Sequence, residues 1–119
     1  MAHHAYVNCT SVGDTIVIPG VNGLRMIITD YNISGNGNDQ VFIVKSGGAT
    51  GGQSNSPRAQ FTVGPTAGIP GVTGQHNPEG HFSTIGKPSG TTPDDLVFTL
   101  SGSGTILLTG HITYELINS

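Results

Sequence analysis

The chain has 119 residues, enough for one domain that buries its own core without disulfide or metal cross-links. Charged residues make up 9% of it, against about 25% in an ordinary soluble domain. The net charge is −3, and the four Lys and Arg residues are scattered singly. Because binding to a phosphate backbone needs a basic patch, this composition argues against nucleic acid as a partner.

Targeting and redox signals are also missing from the sequence. Cys9 is the only cysteine, so the fold cannot depend on an internal disulfide. The first residues lack the basic and apolar regions of a signal peptide. No apolar run in the sequence comes close to the length of about 18 residues that a membrane-spanning helix needs. We therefore expect a soluble chain, made in the cytoplasm, with no membrane partner.

Short strands dominate the first half of the chain. Residues 1–5 are expected to form a flexible N-terminal arm, followed by candidate strands at 6–10, 15–18, 24–34 and 40–45. Apolar residues in 24–34 form two interleaved sets, which predicts a bulge near Asp30 where the buried face changes. Such a pattern is also typical of a strand that crosses between sheets. The third and fourth strands are expected to pair antiparallel across the glycine-rich loop between them.

The middle of the chain is rich in Gly and Pro. Residues 46–57 have almost nothing to bury and predict a flexible loop, after which a strand resumes at 59–63. Residues 64–78 contain too many helix and strand breakers for either element and predict a structured connection. A short strand is expected at 80–86, followed by a loop that leads to the last segment.

The last segment, residues 96–117, has the clearest period-2 alternation. Leu96, Phe98 and Leu100 share one face. After a Ser/Gly turn, a second set again shares a face: Ile106, Leu108, Ile112, Tyr114 and Leu116. This pattern predicts a hairpin whose apolar face the rest of the chain covers.

Together these elements predict an all-β fold. We expect about eight strands and no significant helix, because apolar residues nowhere recur at helical spacing. The pattern favours a single antiparallel β-sandwich domain over residues 1–119, with jelly-roll or Greek-key connections. An immunoglobulin domain is disfavoured because its Cys/Trp/Cys core is absent.

Metal binding is not expected, although five histidines stand out in a chain with so few charges. They are His3, His4, His76, His81 and His111. Their spacings match no zinc pattern, and adjacent histidines point to opposite sides of an extended segment. One alternative remains, a metal on a symmetry axis that takes one histidine from each subunit.

Catalytic residues and cofactors are not expected either. Ser83, His81 and Asp95 lie in no nucleophile context. Glu79 with Asp94 and Asp95 could be a glycosidase pair, but the aromatic residues that line sugar sites are sparse, and Asp94-Asp95 after Pro93 is typical of a turn. The glycine-rich runs lack the Lys-Ser/Thr of a phosphate-binding loop. We therefore do not expect an enzyme.

Candidate interface residues come from residue type. Tyr and Arg are favoured anchors at protein interfaces, and His3 and His4 lie in the expected arm. The candidates are His3, His4, Tyr6, Arg58 and Phe61. An ordinary core or surface role for these residues is the alternative.

Four segments carry a resemblance to a known class of proteins. In order they are GLRMII at 23–28, VKSG at 44–47, LVFTLS at 96–101 and TGHITY at 109–114. This order resembles small jelly-roll proteins of tailed bacteriophages. The resemblance implies a head decoration (cement) protein on the virion surface that binds the major capsid protein. It would do so as a homotrimer, or alternatively a homodimer, with residues 1–7 reaching the capsid.

The same resemblance leaves a second function open. Similar jelly rolls occur in phage tails and baseplates, where the domain would bind a receptor or a carbohydrate. The loops at 47–57 and 64–78 would then form the recognition surface.

Overall fold

All regular structure described in this chain is β-strand. The structure is a computed structural model that describes residues 2–35, 39–63, 71–75, 83–102 and 106–118. Within these ranges there is no helix of the length and apolarity that a membrane crossing requires. The strands are β1 (His3–Cys9), β2 (Gly13–Ile18), β3 (Leu24–Gly35), β4 (Gln40–Ser46), β5 (Ser56–Val63), β6 (Gly71–Gln75), β7 (Leu96–Gly102) and β8 (Leu108–Asn118).

The strands form two antiparallel sheets. Sheet A has the order β1-β8-β3-β6, and sheet B has the order β2-β7-β4-β5. Strand β1 lies beside β2, and β5 lies beside β6, so the edges of the two sheets are adjacent on both sides without being hydrogen-bonded to each other. The prediction of an all-β chain with antiparallel sheets is confirmed, and the arrangement is consistent with a β-sandwich.

The apolar core lies between the two sheets. Alternate residues of β4 are fully buried, as expected for a strand with one face on a core. Phe42 of this strand stacks on Phe98 of β7, with ring centroids 5.3 Å apart. From sheet A, both Ile28 and Ile112 are buried in the same cluster. The core therefore draws on strands that lie far apart in the sequence.

Strand β3 contains the predicted change of buried face. Its register against β8 shifts between Ile28 and Asp30, which leaves Thr29 as the extra residue of a bulge. Before the bulge Met26 and Ile28 face the core, and after it Ile33 does. The bulge prediction is confirmed. The interpretation of β3 as a strand that crosses between sheets is wrong, because β3 pairs with β8 on both sides of the bulge.

Two predicted strand pairings are wrong. Strands β7 and β8 do not form a hairpin, because β7 pairs with β2 and β4 in sheet B, whereas β8 pairs with β1 and β3 in sheet A. Strands β3 and β4 also lie in different sheets. Alternation specifies which side chains face the core, but it carries no information about which strand is the neighbour. Ile106, Leu108 and Ile112 are nevertheless buried, and Tyr114 and Leu116 pack partly buried against the core.

The N-terminus differs from its prediction as well. Strand β1 begins at His3, and its register runs from His3 opposite Tyr114 to Cys9 opposite Leu108. His3, His4 and Ala5 are therefore part of sheet A and not of a free arm. Since Ala5 packs against the core, the sheet gains from ordering these residues.

The Gly/Pro-rich region contains one strand that its composition did not predict. Strand β6 pairs with the second half of β3, within the segment expected to be a connection. The predicted strand at 80–86 lies partly outside the described residues, and residues 83–86 are not a strand. This segment still joins sheet A, because Met26 N–H donates to Thr84 Oγ1 (2.8 Å) and Thr84 N–H donates to the Met26 carbonyl (2.9 Å).

Candidate protein interface

Exposed apolar side chains are concentrated at one edge of the molecule. Among the described residues, the large hydrophobic side chains that are exposed all fall between residues 6 and 21. They are Tyr6 (86% exposed), Val12 (58%), Ile16 (57%) and Val21 (41%). Single exposed apolar residues are ordinary, but their occurrence within one short segment makes that segment the candidate contact surface. We refer to residues 3–21 as the β1–β2 edge.

The topology explains why this segment is exposed. Strand β1 is outermost in sheet A and pairs with β8, and β2 is outermost in sheet B and pairs with β7. Alternation then places Tyr6, between the half-buried Ala5 and the buried Val7, on the outer face of sheet A. Ile16 lies opposite Val97 on the outer face of sheet B. The edge thus carries apolar groups on both of its sides.

The surroundings of Tyr6 are polar but carry no formal charge. Its cross-strand neighbour is His111, which in turn lies opposite Asn32, and both are exposed. Two residues before Tyr6, on the same face of β1, His4 Nδ1 lies 3.2 Å from Thr113 Oγ1. Desolvation of such uncharged polar groups costs less free energy than desolvation of ionised side chains. This face can therefore enter a contact without burying an unpaired charge.

The five predicted interface residues fall into two separate groups. His3, His4 and Tyr6 lie together on β1, where the ring of His3 stacks on Tyr114 at 5.2 Å. Arg58 and Phe61 lie on β5, at the opposite lateral edge. The ring of Phe61 is half-buried and stacks on Phe42 at 5.2 Å, which is a core contact. The structure brings together the first group alone.

Arg58 occupies an irregular position in β5. The register places Val44 opposite Ala59 and Lys45 opposite Pro57, so Arg58 is the extra residue of a bulge. Its Nη2 lies 3.5 Å from Ser83 Oγ, at the limit of a hydrogen bond. This contact directs the guanidinium toward its own chain.

The described residues that were considered for chemistry do not converge on one site. His3, His4 and His111 lie on sheet A, whereas His76, His81 and Glu79 lie outside the described residues. In the part of the chain that the structure describes, there is no group of three or more metal-ligating side chains. The same part of the chain contains no pocket.

Asp94 and Asp95 instead form a structural network. Asp94 is 3% exposed, and its Oδ2 accepts from Ser46 Oγ (2.8 Å), while its Oδ1 accepts from Ser54 N–H (2.9 Å). Asp95 Oδ1 accepts from Gly20 N–H (2.6 Å). Its Oδ2 accepts from Gln53 Nε2 (2.8 Å). All four carboxylate oxygens are therefore occupied by hydrogen bonds that join distant loops, in what we call the Asp94–Asp95 network.

This network also connects to the segment after residue 82. Ser46 Oγ accepts from Ile85 N–H at 2.7 Å while it donates to Asp94. Gly47 N–H donates to the Asp95 carbonyl at 2.7 Å. The sequence predicted turn chemistry for Asp94 and Asp95, but their partners are 40 to 75 residues away. Local sequence patterns do not contain these hydrogen-bond partners, and only information that relates positions far apart in the sequence could have identified them.

Cys9 at the end of β1 is a core residue. It is buried, and burial raises the pKa of its thiol above the ordinary value of 9.0, against a smaller lowering by a hydrogen bond with the Thr15 side chain. The thiol therefore stays protonated at neutral pH and is a weak nucleophile.

Comparison with known proteins adds no family to these observations. No protein-family model matches the chain, and no curated protein matches it. The resemblance to phage jelly rolls thus depends on the four sequence segments given above.

Proposed function

We propose that this chain is an eight-stranded jelly roll that serves as a structural protein of a bacteriophage virion. In this proposal it is a head decoration (cement) protein that forms a homo-oligomer and binds the major capsid protein. It would act by contact, without catalysis or a cofactor.

The pairing of the strands supports the jelly-roll part of the proposal. Strand β1 pairs with β8, β2 with β7, β3 with β6, and β4 with β5. This nesting arises when one long antiparallel ribbon folds over into two sheets, which is how jelly rolls are built. Viral capsid proteins and lectins use this architecture, so the fold alone does not decide between them.

The observation that carries the function is the exposed β1–β2 edge. A protein that stabilises a capsid needs a rigid body with a surface that can be desolvated at low cost. Tyr6 and Ile16 supply exposed apolar area, and the side chains next to Tyr6 are uncharged, although the exposed Asp14 lies two residues before Ile16. Because β1 belongs to sheet A from His3 onward, residues 3–7 would contact the capsid as a strand and not as an arm.

The test is binding to phage particles assembled from a genome that carries this gene. We expect the chain to be present on purified particles and the double variant Tyr6→Ala, Ile16→Ser to bind them at least tenfold more weakly. Gln60→Ala on β5 is the matched control, because Gln60 is exposed at the opposite edge. Absence of the chain from particles would refute the proposal, as would undiminished binding of the double variant.

One observation favours the second candidate, a receptor-binding or carbohydrate-binding module of a tail or baseplate. Tyr6 lies in a cross-strand row with the exposed His111 and Asn32. An aromatic ring flanked by hydrogen-bonding side chains is a surface on which a sugar ring can stack. A glycan array probed with the isolated protein tests it, and the signal should disappear in Tyr6→Ala. Loss of the signal together with presence at the tail would favour this function over decoration.

A further inference from the structure

We propose that β1 is a self-association strand. Two copies join by antiparallel pairing of their β1 strands about a twofold axis at Tyr6, which makes sheet A continuous across the dimer. The partner at this edge is therefore a second copy of the same chain. The inference concerns self-association, and it holds whether or not the chain binds a capsid.

Three of the four edge strands carry devices that block pairing with another strand. Strand β5 contains Pro57 and the bulge at Arg58. Strand β2 carries the exposed Asp14 and a bulge at Val17. Strand β6 has five residues, of which two are glycine. Proline, bulges, charged side chains and short length all protect sheet edges from adding a foreign strand.

Strand β1 has none of these devices. Its sequence, HHAYVNC, contains no proline, glycine, lysine or carboxylate. All seven residues pair with β8 in an unbroken register, so the strand is regular along its whole length. The side of β1 that faces away from β8 therefore presents a straight row of backbone donors and acceptors.

The order of residues in β1 suits pairing with itself. A twofold axis at Tyr6 places Tyr6 opposite Tyr6, with the remaining pairs formed symmetrically on either side. They are His3 with Cys9, His4 with Asn8, and Ala5 with Val7. This alignment uses the full length of the strand and places no like formal charges opposite each other. Pairing of Ala5 with Val7 on the core side would continue the apolar layer from one copy into the next.

A head-to-tail arrangement fits the edges less well. Pairing of β1 with another edge of the next copy would have to use a strand that carries a proline, a bulge, a charge or glycines. Such a contact also leaves one open edge at each end, so it adds copies until a ring closes. The twofold contact uses the same edge on both copies and closes at two.

The first test measures the mass of the protein in solution and uses disulfide cross-linking to determine the register between the two β1 strands. In a Cys9→Ala background, Tyr6→Cys should form a covalent dimer on mild oxidation, since directly opposed residues have Cα atoms about 4.5–5.5 Å apart. His4→Cys alone should not, because its two copies would be offset by roughly 14 Å along the strands. A mixture of His4→Cys and Asn8→Cys should give the heterodimer. Gln60→Cys on β5 is the control that should remain monomeric on a denaturing gel.

The second test weakens the contact without touching the core. Tyr6→Lys would place two like charges opposite each other, and we expect the dimer dissociation constant to rise at least tenfold. The unfolding midpoint should be unchanged when it is measured at concentrations at which both proteins are monomeric. Gln60→Lys should change neither quantity. Light scattering that shows a monomer at high concentration, or a trimer, would overturn the inference, and so would equal cross-linking of His4→Cys and Tyr6→Cys.

These outcomes are separable from those for the proposed function. A dimer with the stated cross-links that is absent from phage particles would refute the decoration proposal and leave β1 pairing intact. A trimer found on particles would do the opposite.

Discussion

The Asp94–Asp95 network and the β1–β2 edge show opposite distributions of side chains. In the network, Asp94 is buried and Asp95 is half-buried, and every one of their carboxylate oxygens accepts a hydrogen bond. At the edge, Tyr6 and Ile16 are apolar side chains exposed to solvent. Two of the few charged residues thus hold loops together, whereas apolar side chains at the edge remain exposed. Stability and binding should therefore respond to different substitutions.

The largest expected effect is in the network. Asp94→Ala removes two hydrogen bonds to a buried carboxylate and leaves the Ser46 hydroxyl and the Ser54 N–H without that acceptor. We expect the free energy of unfolding to fall by about 4 kcal/mol, since hydrogen bonds to charged groups each contribute about 1.5–3 kcal/mol. Urea unfolding followed by circular dichroism measures this loss.

Asp14→Ala is the matched control for this substitution. Asp14 also accepts a hydrogen bond, from Thr99 Oγ1 at 2.6 Å, but it is exposed. Its removal should cost less than about 1 kcal/mol, because water replaces the lost partner. Equal losses for Asp94→Ala and Asp14→Ala would mean that the network does not hold the loops as described.

A smaller loss of stability is expected beneath the edge, at Gly110 of β8. Gly110 pairs with Val7 of β1, and its φ is 155°. A Cβ there would collide with the Asn32 carbonyl oxygen and lie 2.8 Å from Ile33 Cα. Gly110→Ala should lower the free energy of unfolding by about 2 kcal/mol, because β8 must move away from β3.

Gly110→Ala also distinguishes the edge from the network by its effect on self-association. Since β1 pairs with β8, this variant should weaken self-association and lower stability. The folded fraction of Asp94→Ala should associate normally. Thermal unfolding and sedimentation of the same samples measure both quantities. Normal association of Gly110→Ala would contradict the link between β8 and the edge.

Substitution at the edge itself should leave stability almost unchanged. We expect Ile16→Ser to change the free energy of unfolding by less than about 0.5 kcal/mol, because the side chain is 57% exposed. Ile18→Ser, two residues later on the buried side of β2, is the internal comparison and should be strongly destabilising. Denaturant titration of both variants tests the contrast. A large loss in Ile16→Ser would show that the edge belongs to the core.

The smallest effect concerns Cys9 and appears only at alkaline pH. Burial raises the pKa of the folded thiol, so the unfolded chain releases this proton first as the pH rises past 9.0. The contribution of Cys9 to stability is therefore constant below that pH and is lost above it. Unfolding at pH 7, 9 and 10 should show a steeper alkaline loss in the wild type than in Cys9→Ala. Identical slopes would contradict this assignment.

Much of the fold was predictable because its signal is local. The alternation in residues 96–117 identified the buried side chains of β7 and β8, and the phase change near Asp30 identified the bulge in β3. Strand partners were not predictable, because β7 and β8 have the same alternation whether they pair with each other or join different sheets. Strand β6 was missed because its glycines resemble a loop, and it is a strand only because β3 pairs with it.

The candidate site was predictable in part. Tyr6 was singled out by residue type, but its exposure follows from the position of β1 at the end of sheet A, which no local pattern encodes. Ile16 falls in the predicted strand at 15–18, but its β-branched neighbours do not indicate which way it faces, and its exposure in the structure shows that it faces outward. The partners of Asp94 are 40 and 48 residues away, so its role could not be inferred from its neighbours.

The order of strands in the two sheets also bears on when the protein can fold during synthesis. Strands β7 and β8 occupy interior positions of sheets B and A, yet they come last in chain order. Until the ribosome has released them, β1 and β2 lack the neighbours with which they pair. The nascent chain must therefore keep its first apolar segments from other chains through most of translation. Because the chain has few charges to keep such segments apart, aggregation is most favoured during that interval.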